Sequence, residues 1–153
     1  MKKMVTTNCF IYEHPRLLLG MKKRGFGQGR WNGFGGKVAE GETIEQAAKR
    51  ETEEECGVKV LDCKQLGELQ FSFKDKNEVI DMHIFLITKY AGEPVETEEM
   101  KPEWFEVDKL PYPNMWPDDP LWMPLFLSEK NFKGKFLFEG YNKILKHELR
   151  ELR

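Results

Sequence analysis

The sequence predicts a single domain of α/β (α+β) class that spans residues 1–153. Three observations support this prediction. A chain of 153 residues that is 40% hydrophobic can bury one sizeable core and gives no reason to expect a second domain. Short apolar runs recur between turn residues, which is typical of strands. Residues 43–57 carry the signals of a capped helix, and no repeat or linker divides the chain.

The predicted strands follow from alternation of apolar residues and from β-branched and aromatic content. Alternation is clearest where Leu69, Phe71 and Phe73 share one side of a run. The predicted strands are Met4–Tyr12, Arg16–Met21, Leu66–Phe73, Val79–Tyr90, Trp104–Val107 and Lys135–Phe138. The last segment, residues 142–152, suits either a helical face or an edge strand, and we favour the strand.

The charge and the cysteine content limit which binding partners and which cellular compartment are expected. Lys and Arg total 24 against 26 Asp and Glu, so the net charge of -2 gives no general attraction to polymeric nucleic acid or to an anionic membrane. Three cysteines at irregular spacing favour neither a zinc site nor a disulfide framework, and they suit a reducing compartment. Without a signal peptide or a membrane-spanning run, we expect a cytoplasmic monomer, with nuclear or mitochondrial fractions left open.

The helix in residues 43–57 has recognisable ends. Thr43 and Gln46 form a capping box, T-x-x-Q, and Gly57 supplies the residue that ends the helix. Between these ends, a narrow apolar stripe can pack on a sheet. The stripe consists of Ile44, Ala47 and Ala48.

The same helix carries more acid than its stability requires. Glu51, Glu54 and Glu55 lie at i, i+3 and i+4, within one face roughly 100° wide. A solvated acidic face is the usual meaning of such a run. However, the acids lie in the C-terminal half, where the helix dipole disfavours them. An Arg50–Glu42 pair could orient these three carboxylates. Their unfavourable position and this pair favour a cation-binding site over a solvated face.

A glycine-rich loop precedes this helix. The Gly35–Gly36 pair allows a backbone carbonyl to approach a metal ion closely. Carbonyl and carboxylate oxygens are the ligands that hard divalent cations such as Mg²⁺ take. The basic stretch KKRGFGQGR before it is not a P-loop, because Gly36-Lys37 is followed by Val38 and the glycine spacings do not fit.

These residues resemble the Nudix signature, G-x5-E-x7-R-E-U-x-E-E-x-G-U, in which U is a bulky aliphatic residue. The matching residues are Gly36, Glu42, Arg50, Glu51, Glu54, Glu55, Gly57 and Val58. Thr52 departs from the pattern at the first U, where its hydroxyl weakens the expected packing. The resemblance implies a Nudix fold, an α/β/α sandwich with a mixed central sheet.

Three further stretches resemble the branch of the Nudix family that hydrolyses oxidised purine nucleoside triphosphates. They are LLGMKKRGFGQGRWNGFGGK, PVETEEMKPEWF and NMWPDDPLWMPLFL. The resemblance implies Mg²⁺-dependent hydrolysis, with Mn²⁺ as a substitute, to a monophosphate and pyrophosphate. The implied substrates are 8-oxo-dGTP and 2-oxo-dATP, with O6-methyl-dGTP as a further candidate. Such an activity removes damaged nucleotides from the precursor pool.

The resemblance also assigns roles to the acidic residues. The catalytic residues would be Arg50, Glu51, Glu54 and Glu55. The metal ligands would be the Gly36 carbonyl, Glu51, Glu54, Glu55 and Glu99. Which glutamate acts as the general base stays open. For Glu99 the sequence alone favours a solvated acidic loop over a ligand.

A second resemblance concerns the purine. Trp116 would stack on the base, Asp118 and Asp119 would hydrogen-bond its edge, and Asn32 would contact it from the other side. Without the resemblance, Asp119-Pro120 indicates an ordinary helix start, with Asp119 as its cap, and Trp116 and Trp122 suit a core. The remaining implied walls of the site are Thr7, Lys22, Phe26, Phe71, Phe73, Met100 and Trp122.

The adjacent acids Asp118 and Asp119 suggest how several damaged purines could bind. Neighbouring carboxylates in a partly dry pocket resist double ionisation, so one should keep a proton. A protonated acid donates and an ionised acid accepts, so the pair could match oxidised guanine or oxidised adenine. Ile80, Met82 and Asn8 depart from the residues expected in this branch, and Asn8 could adjust base choice or face water.

Two other functions stay open at this point. One is a Nudix hydrolase that acts on a different diphosphate-linked substrate. The other is a nucleotide-binding domain without catalysis. Glu51, Glu54 and Glu55 are all present, which argues against a purely binding role, because a binding domain has no need for three clustered acids.

Overall fold

A mixed eight-stranded sheet is the central element of the computed structural model, which describes residues 2–153. Its strands are β1 (Lys2–Glu13), β2 (Arg16–Lys22), β3 (Trp31–Asn32), β4 (Lys59–Phe73), β5 (Lys76–Ala91), β6 (Met100–Glu106), β7 (Asn131–Glu139) and β8 (Lys143–Leu152). The order across the sheet is β3-β2-β1-β5-β4-β7-β8, and β6 also pairs with β2. Pairs β1–β5 and β4–β7 are parallel, whereas the others are antiparallel.

Two helices cover opposite faces of this sheet. They are α1 (Ile44–Cys56) and α2 (Asp119–Leu127). Along β1, Phe10 packs in the core cluster that contains α2, with its ring 5.1 Å from that of Phe126. Its neighbours Cys9 and Ile11 pack in the cluster that contains α1. The predicted α/β/α sandwich is therefore confirmed. Neither helix has the length and apolar character needed to cross a bilayer.

Helix α1 begins and ends where the sequence predicts. The Thr43 hydroxyl accepts from the Gln46 N–H at 3.1 Å, and the Gln46 side chain accepts from the Thr43 N–H at 2.8 Å. Gly57 adopts a left-handed conformation with φ of 79°, and its N–H donates to the Glu53 carbonyl. Thr52 is buried, and its hydroxyl donates to the Ala48 carbonyl at 2.8 Å, so this departure from the signature leaves no unpaired polar group.

The three cysteines share one environment. Cys9, Cys56 and Cys63 are free thiols, and all three are buried in the cluster on the α1 side of the sheet. The Cys9 thiol donates to the Ala48 carbonyl of α1 at a sulfur–oxygen distance of 3.8 Å. These cysteines therefore fill space between the sheet and the helix.

Several predicted boundaries are wrong, and the reasons are local. Strand β4 begins at Lys59, well before Leu66, because bulges between Val60 and Gly67 interrupt the alternation by which strands are recognised. Strand β6 begins at Met100 and ends at Glu106, and the following residues 107–109 form a 3₁₀ turn. The C-terminal segment forms β8, so the strand prediction is confirmed and the helical alternative is wrong.

The start of α2 also differs from the expectation. Asp118 occupies the N-cap position, and Asp119 is the first residue of the helix, with Pro120 in the first turn. The Asp118 side chain does not cap the helix. Instead it accepts a hydrogen bond from the Trp122 indole at 2.8 Å. The expected cap is therefore wrong by one residue, and the Asp118 carboxylate binds Trp122 instead of capping the helix.

Replacing Gly57 by alanine should destabilise the protein. A non-glycine residue in the left-handed region costs about 1–2 kcal/mol, and a β-carbon here would lie 2.7 Å from Cγ2 of Val95. Urea unfolding of Gly57→Ala should show this loss. The double variant Gly57→Ala, Val95→Ala should recover the steric part, whereas Val95→Ala alone should change little, since Val95 is half exposed. Wild-type stability in Gly57→Ala would contradict the left-handed conformation and the close contact described for Gly57.

Candidate active site

A cavity of about 440 Å³ opens between the sheet, the start of α2 and the loop before α1. Of the residues predicted for the site, Thr7, Lys22, Phe26, Asn32, Gly36, Glu55, Phe71, Phe73, Met100, Trp116, Asp118 and Asp119 line it. The structure thus brings the Asp118–Asp119 pair and the acidic helix to one space. Trp122, Arg50, Glu51, Glu54 and Glu99 lie outside the lining.

The glycine loop joins β1 to the acidic helix. The Gly35 N–H donates to the Glu55 carboxylate at 2.7 Å, and the Thr7 N–H donates to the Gly36 carbonyl at 2.9 Å. A β-carbon on Gly35 would collide with the Thr7 carbonyl, and one on Gly36 would lie 2.8 Å from the Glu51 carboxylate. Only glycine at both positions permits this close approach.

Arg50 organises the outer acids. Its guanidinium donates to both carboxylate oxygens of Glu42, at 2.6 and 2.9 Å, so the predicted Arg50–Glu42 pair is present. The same group donates to Glu51 at 2.8 Å and to Glu54 at 3.3 Å. These bonds lower the pKa of Glu42 to about 2 and raise the pKa of Arg50. Glu51 is thereby fixed in orientation.

Glu55 is in a different environment from the other acids of α1. It is buried at the inner end of the cavity, and burial raises its pKa to about 7, despite the Gly35 N–H and the positive charge of Lys22. The charges of Glu51 and Glu99 raise it further. Near neutral pH this carboxyl therefore exchanges between a proton donor and an acceptor.

Glu99 approaches the same acids from the loop before β6. Lys22 lies between the two groups, with its ammonium 3.6 Å from Glu55 and 3.7 Å from Glu99. Arg24 binds Glu99 at 2.6 and 3.0 Å. Glu99 is therefore paired with Lys22, which lines the cavity, and with the exposed Arg24, while its role as a metal ligand stays a prediction.

The donor set suits a hard divalent cation. No group of three or more His, Cys, Asp or Glu side chains in residues 2–153 is arranged to hold a metal ion as it stands. Nevertheless, the Glu51 carboxylate occupies the space beside Gly36 that a β-carbon would fill, and Glu55 and Glu99 lie close enough to influence each other's charge. Carboxylate and carbonyl oxygens are the ligands that Mg²⁺ takes, so the types of residue present here fit this ion. Glu54 is the outlier, because its side chain is 59% exposed and bound to Arg50.

The acid pair at the start of α2 forms the other end of the cavity. Both carboxyls are buried, and burial raises the pKa of Asp118 to about 6. Burial, followed by the charge of Asp118, raises the pKa of Asp119 well above its ordinary value. The two groups thus resist double ionisation, as the sequence predicts. Trp122, expected as a wall, lies in the core against Phe132 and acts on the cavity only through its hydrogen bond to Asp118.

Aromatic and amide side chains complete this end. Phe26 stacks on Trp116 with ring centroids 5.2 Å apart. The Asn32 amide donates to the Arg30 carbonyl at 2.9 Å, which fixes the side chain at the cavity wall. Asn8 also lines the cavity, together with Ile80 and Met82. Asn8 is half-buried in the cavity wall, and its influence on base choice stays a prediction.

Several residues that line the cavity were not predicted from the sequence. Met4 and Thr6 on β1 and Glu78 on β5 face the cavity, and Phe138 on β7 does so as well. Their alternation with Asn8, Ile80 and Met82 was available as a signal, because residues two apart share a face of a strand. What the sequence could not supply is the parallel pairing that sets Met4 beside Ile80.

Comparison with known proteins decides the family. The chain matches the NUDIX domain over residues 2–126. It belongs to the Nudix family. It is 51% identical over 146 residues to the oxidized purine nucleoside triphosphate hydrolase of Danio rerio, with 95% of this chain and 94% of the relative covered. A protein of the same name from Mus musculus is 50% identical over the same shares. A mutator MutT protein from Bacillus halodurans has a similar structure, with a TM-score of 0.83 at 27% identity over 95% of this chain and 97% of that one.

The buried acid pair predicts how stability depends on pH in this Nudix protein. A carboxyl whose pKa is raised by folding stabilises the fold fully below its unfolded pKa, and this contribution is lost as pH rises through the folded pKa. For Asp118 the loss falls between about pH 4 and pH 6, and for Asp119 it extends higher. Thermal unfolding from pH 4 to pH 8 should therefore show a shallower decline for Asp119→Asn than for wild type. Asp108→Asn, at an exposed position, is the control. If stability fell equally with pH in the wild type and in Asp119→Asn, the raised pKa of Asp119 would be disproved.

Proposed function

We propose that this Nudix hydrolase cleaves oxidised purine nucleoside triphosphates, such as 8-oxo-dGTP and 2-oxo-dATP, to the monophosphate and pyrophosphate. One observation carries the proposal. A single cavity is lined by the Asp118–Asp119 pair at one end and by Gly36 and Glu55 at the other. A purine can bind the first end while its phosphates reach the second. The hydrolases from Danio rerio and Mus musculus that resemble this chain carry the corresponding name.

At the phosphate end, the proposed ligands of Mg²⁺ are the Gly36 carbonyl, Glu51, Glu55 and Glu99. A bound divalent ion supplies charge neutralisation at the phosphate oxygens and lowers the pKa of a water molecule. Arg50 holds the Glu51 carboxylate toward the site at 2.8 Å. Lys22 lines the cavity beside Glu55 and can attract the triphosphate. Glu54 has a weaker claim than its neighbours, because it faces solvent.

At the base end, Asp118 and Asp119 read the purine edge. The raised pKa values allow one acid to donate and the other to accept. Oxidised guanine and oxidised adenine differ in this donor and acceptor pattern, so a shift of protons within the pair accommodates both. Asn32 and Trp116 contribute an amide and a stacking surface. Asn8 adds a polar group to the wall and is expected to influence the ranking of substrates.

No comparable feature of the structure favours another Nudix substrate. A nucleotide sugar or a dinucleoside polyphosphate does not require two buried acids at the base end. A monomeric state, a cytoplasmic location and the use of Mn²⁺ in place of Mg²⁺ stay predictions.

The proposal is tested by pyrophosphate release with Mg²⁺. We expect kcat/KM for 8-oxo-dGTP and 2-oxo-dATP to exceed that for dGTP at low substrate concentration, with O6-methyl-dGTP as a further comparison. Glu55→Gln should lower kcat by at least about a hundredfold, whereas Glu98→Gln, at an 87% exposed neighbour of Glu99, should retain activity.

The same assay examines the acid pair. Asp119→Asn should change the ranking among oxidised guanine, oxidised adenine and unmodified substrates, because its amide cannot exchange a proton with Asp118. Slow turnover of all substrates by the wild type would reject the proposed function. An unchanged ranking in Asp119→Asn would reject proton sharing alone.

Metal binding should depend on pH through Glu55. The protonated carboxyl cannot serve as a ligand, and its pKa is about 7, so Mg²⁺ affinity should rise from pH 6 to pH 8. Near pH 7 binding should release protons, measurable by titration calorimetry in buffers of different ionisation enthalpy. Glu55→Gln should bind more weakly and show a flatter profile. An affinity independent of pH in the wild type would contradict this role of Glu55.

A further inference from the structure

Tyr141 lies in the turn between β7 and β8 and packs against three side chains that line the cavity. Its ring makes edge contacts with Phe26, Phe73 and Trp116 at centroid separations of 5.2, 5.8 and 6.0 Å. Tyr141 does not line the cavity itself. It therefore supports the aromatic wall of the base site from outside.

Arg30 makes a second link between the same turn and the same wall. Its guanidinium carbon lies 4.0 Å from the centre of the Trp116 ring, within the range of a cation–π interaction. The guanidinium also donates to the Tyr141 carbonyl at 3.4 Å and to the Asn142 side chain. Arg30 thus joins Trp116 to a turn that is more than a hundred residues away in sequence.

Lys76 holds the turn from the start of β5. Its ammonium lies 4.3 Å from the centre of the Tyr141 ring and is hydrogen-bonded to the Tyr141 hydroxyl. The aromatic ring of Tyr141 is therefore fixed between Lys76 and the cavity wall. Phe26, in contrast, is 59% exposed, so the wall has little support on that side.

We propose that Tyr141 and Arg30 are positioning residues that hold Trp116 in place as a wall of the purine site and thereby set the affinity for the base. This inference rests on the proposed function. Stacking yields its full free energy only when the protein ring is already ordered before the ligand binds. Neither residue lines the cavity, and the base they influence is remote from the phosphate that reacts. Loss of either should therefore weaken ground-state and transition-state binding equally.

The test compares two disruptive variants with two controls. Tyr141→Ala and Arg30→Met should each raise KM for 8-oxo-dGTP about tenfold, with kcat within about twofold of wild type. Tyr141→Phe keeps the ring that contacts the wall, so its KM should stay close to wild type. Lys143→Ala, at an exposed residue of the same hairpin whose ion pair is with Glu139, should behave like wild type. If Tyr141→Ala does not fold, Arg30→Met carries the same comparison.

A second measurement does not depend on the substrate. The four tryptophans give four indole N–H resonances in an NMR spectrum of ¹⁵N-labelled protein, and Trp116→Phe identifies that of Trp116. In Tyr141→Ala and Arg30→Met this resonance should shift or broaden, whereas that of Trp104, in the cluster on the α1 side, should not.

An unchanged KM with an unchanged Trp116 resonance would overturn the inference. Equal disturbance of all four resonances with a fall in kcat would overturn it as well, because it indicates a general structural role. Failure of the wild type to cleave oxidised purines would reject the proposed function, while the Trp116 resonance would still show whether Tyr141 and Arg30 hold Trp116 in place.

Discussion

The active site depends on the close contact between the Gly35–Gly36 backbone and helix α1. The Gly35 N–H binds Glu55, and the Gly36 residue lies directly against the Glu51 carboxylate. On its other side the loop is hydrogen-bonded to Thr7 of β1. Because β1 also lines the cavity, this contact joins α1, the glycine loop and the cavity wall. A β-carbon at Gly35 would collide with the Thr7 carbonyl, so the loop could no longer lie this close to β1.

Burial and pairing give neighbouring carboxyls opposite acidities. Within the α1 region, hydrogen bonds from Arg50 lower the pKa of Glu42 to about 2, whereas burial raises the pKa of Glu55 to about 7. The first group is a permanent anion that orients an arginine. The second can exchange a proton near neutral pH. At the start of α2, burial also raises the pKa of Asp118 and that of Asp119. Groups of one chemical type thus take different roles because the fold controls their access to water.

The sequence predicted the parts of the molecule that are determined locally. The capping box, Gly57 and the Arg50–Glu42 pair lie within a few turns of one another, so spacing alone identifies them. Strand positions were predicted less well where bulges interrupt alternation, as at the start of β4. Phe71 and Phe73 could be placed in the site only through the family resemblance.

Other features depend on contacts between distant parts of the chain, and the sequence did not reveal them. The parallel pairing of β1 with β5 brings Glu78 to the cavity, and no local pattern predicts that partner. The contacts of Arg30 and Tyr141 are of the same kind. Trp122 shows the opposite case, because the family resemblance implied a place in the wall, whereas the residues alone suited the core position that the structure shows.

The three cysteines on the α1 side of the sheet have a consequence for an enzyme of this kind. Burial raises the pKa of Cys56 and of Cys63 to about 11, and it raises the pKa of Cys9 as well. Peroxides attack the thiolate and require access to the sulfur. Since these thiols are shielded and protonated, they react slowly with oxidants. The fold thus protects these three thiols from the oxidants that also generate oxidised nucleotides.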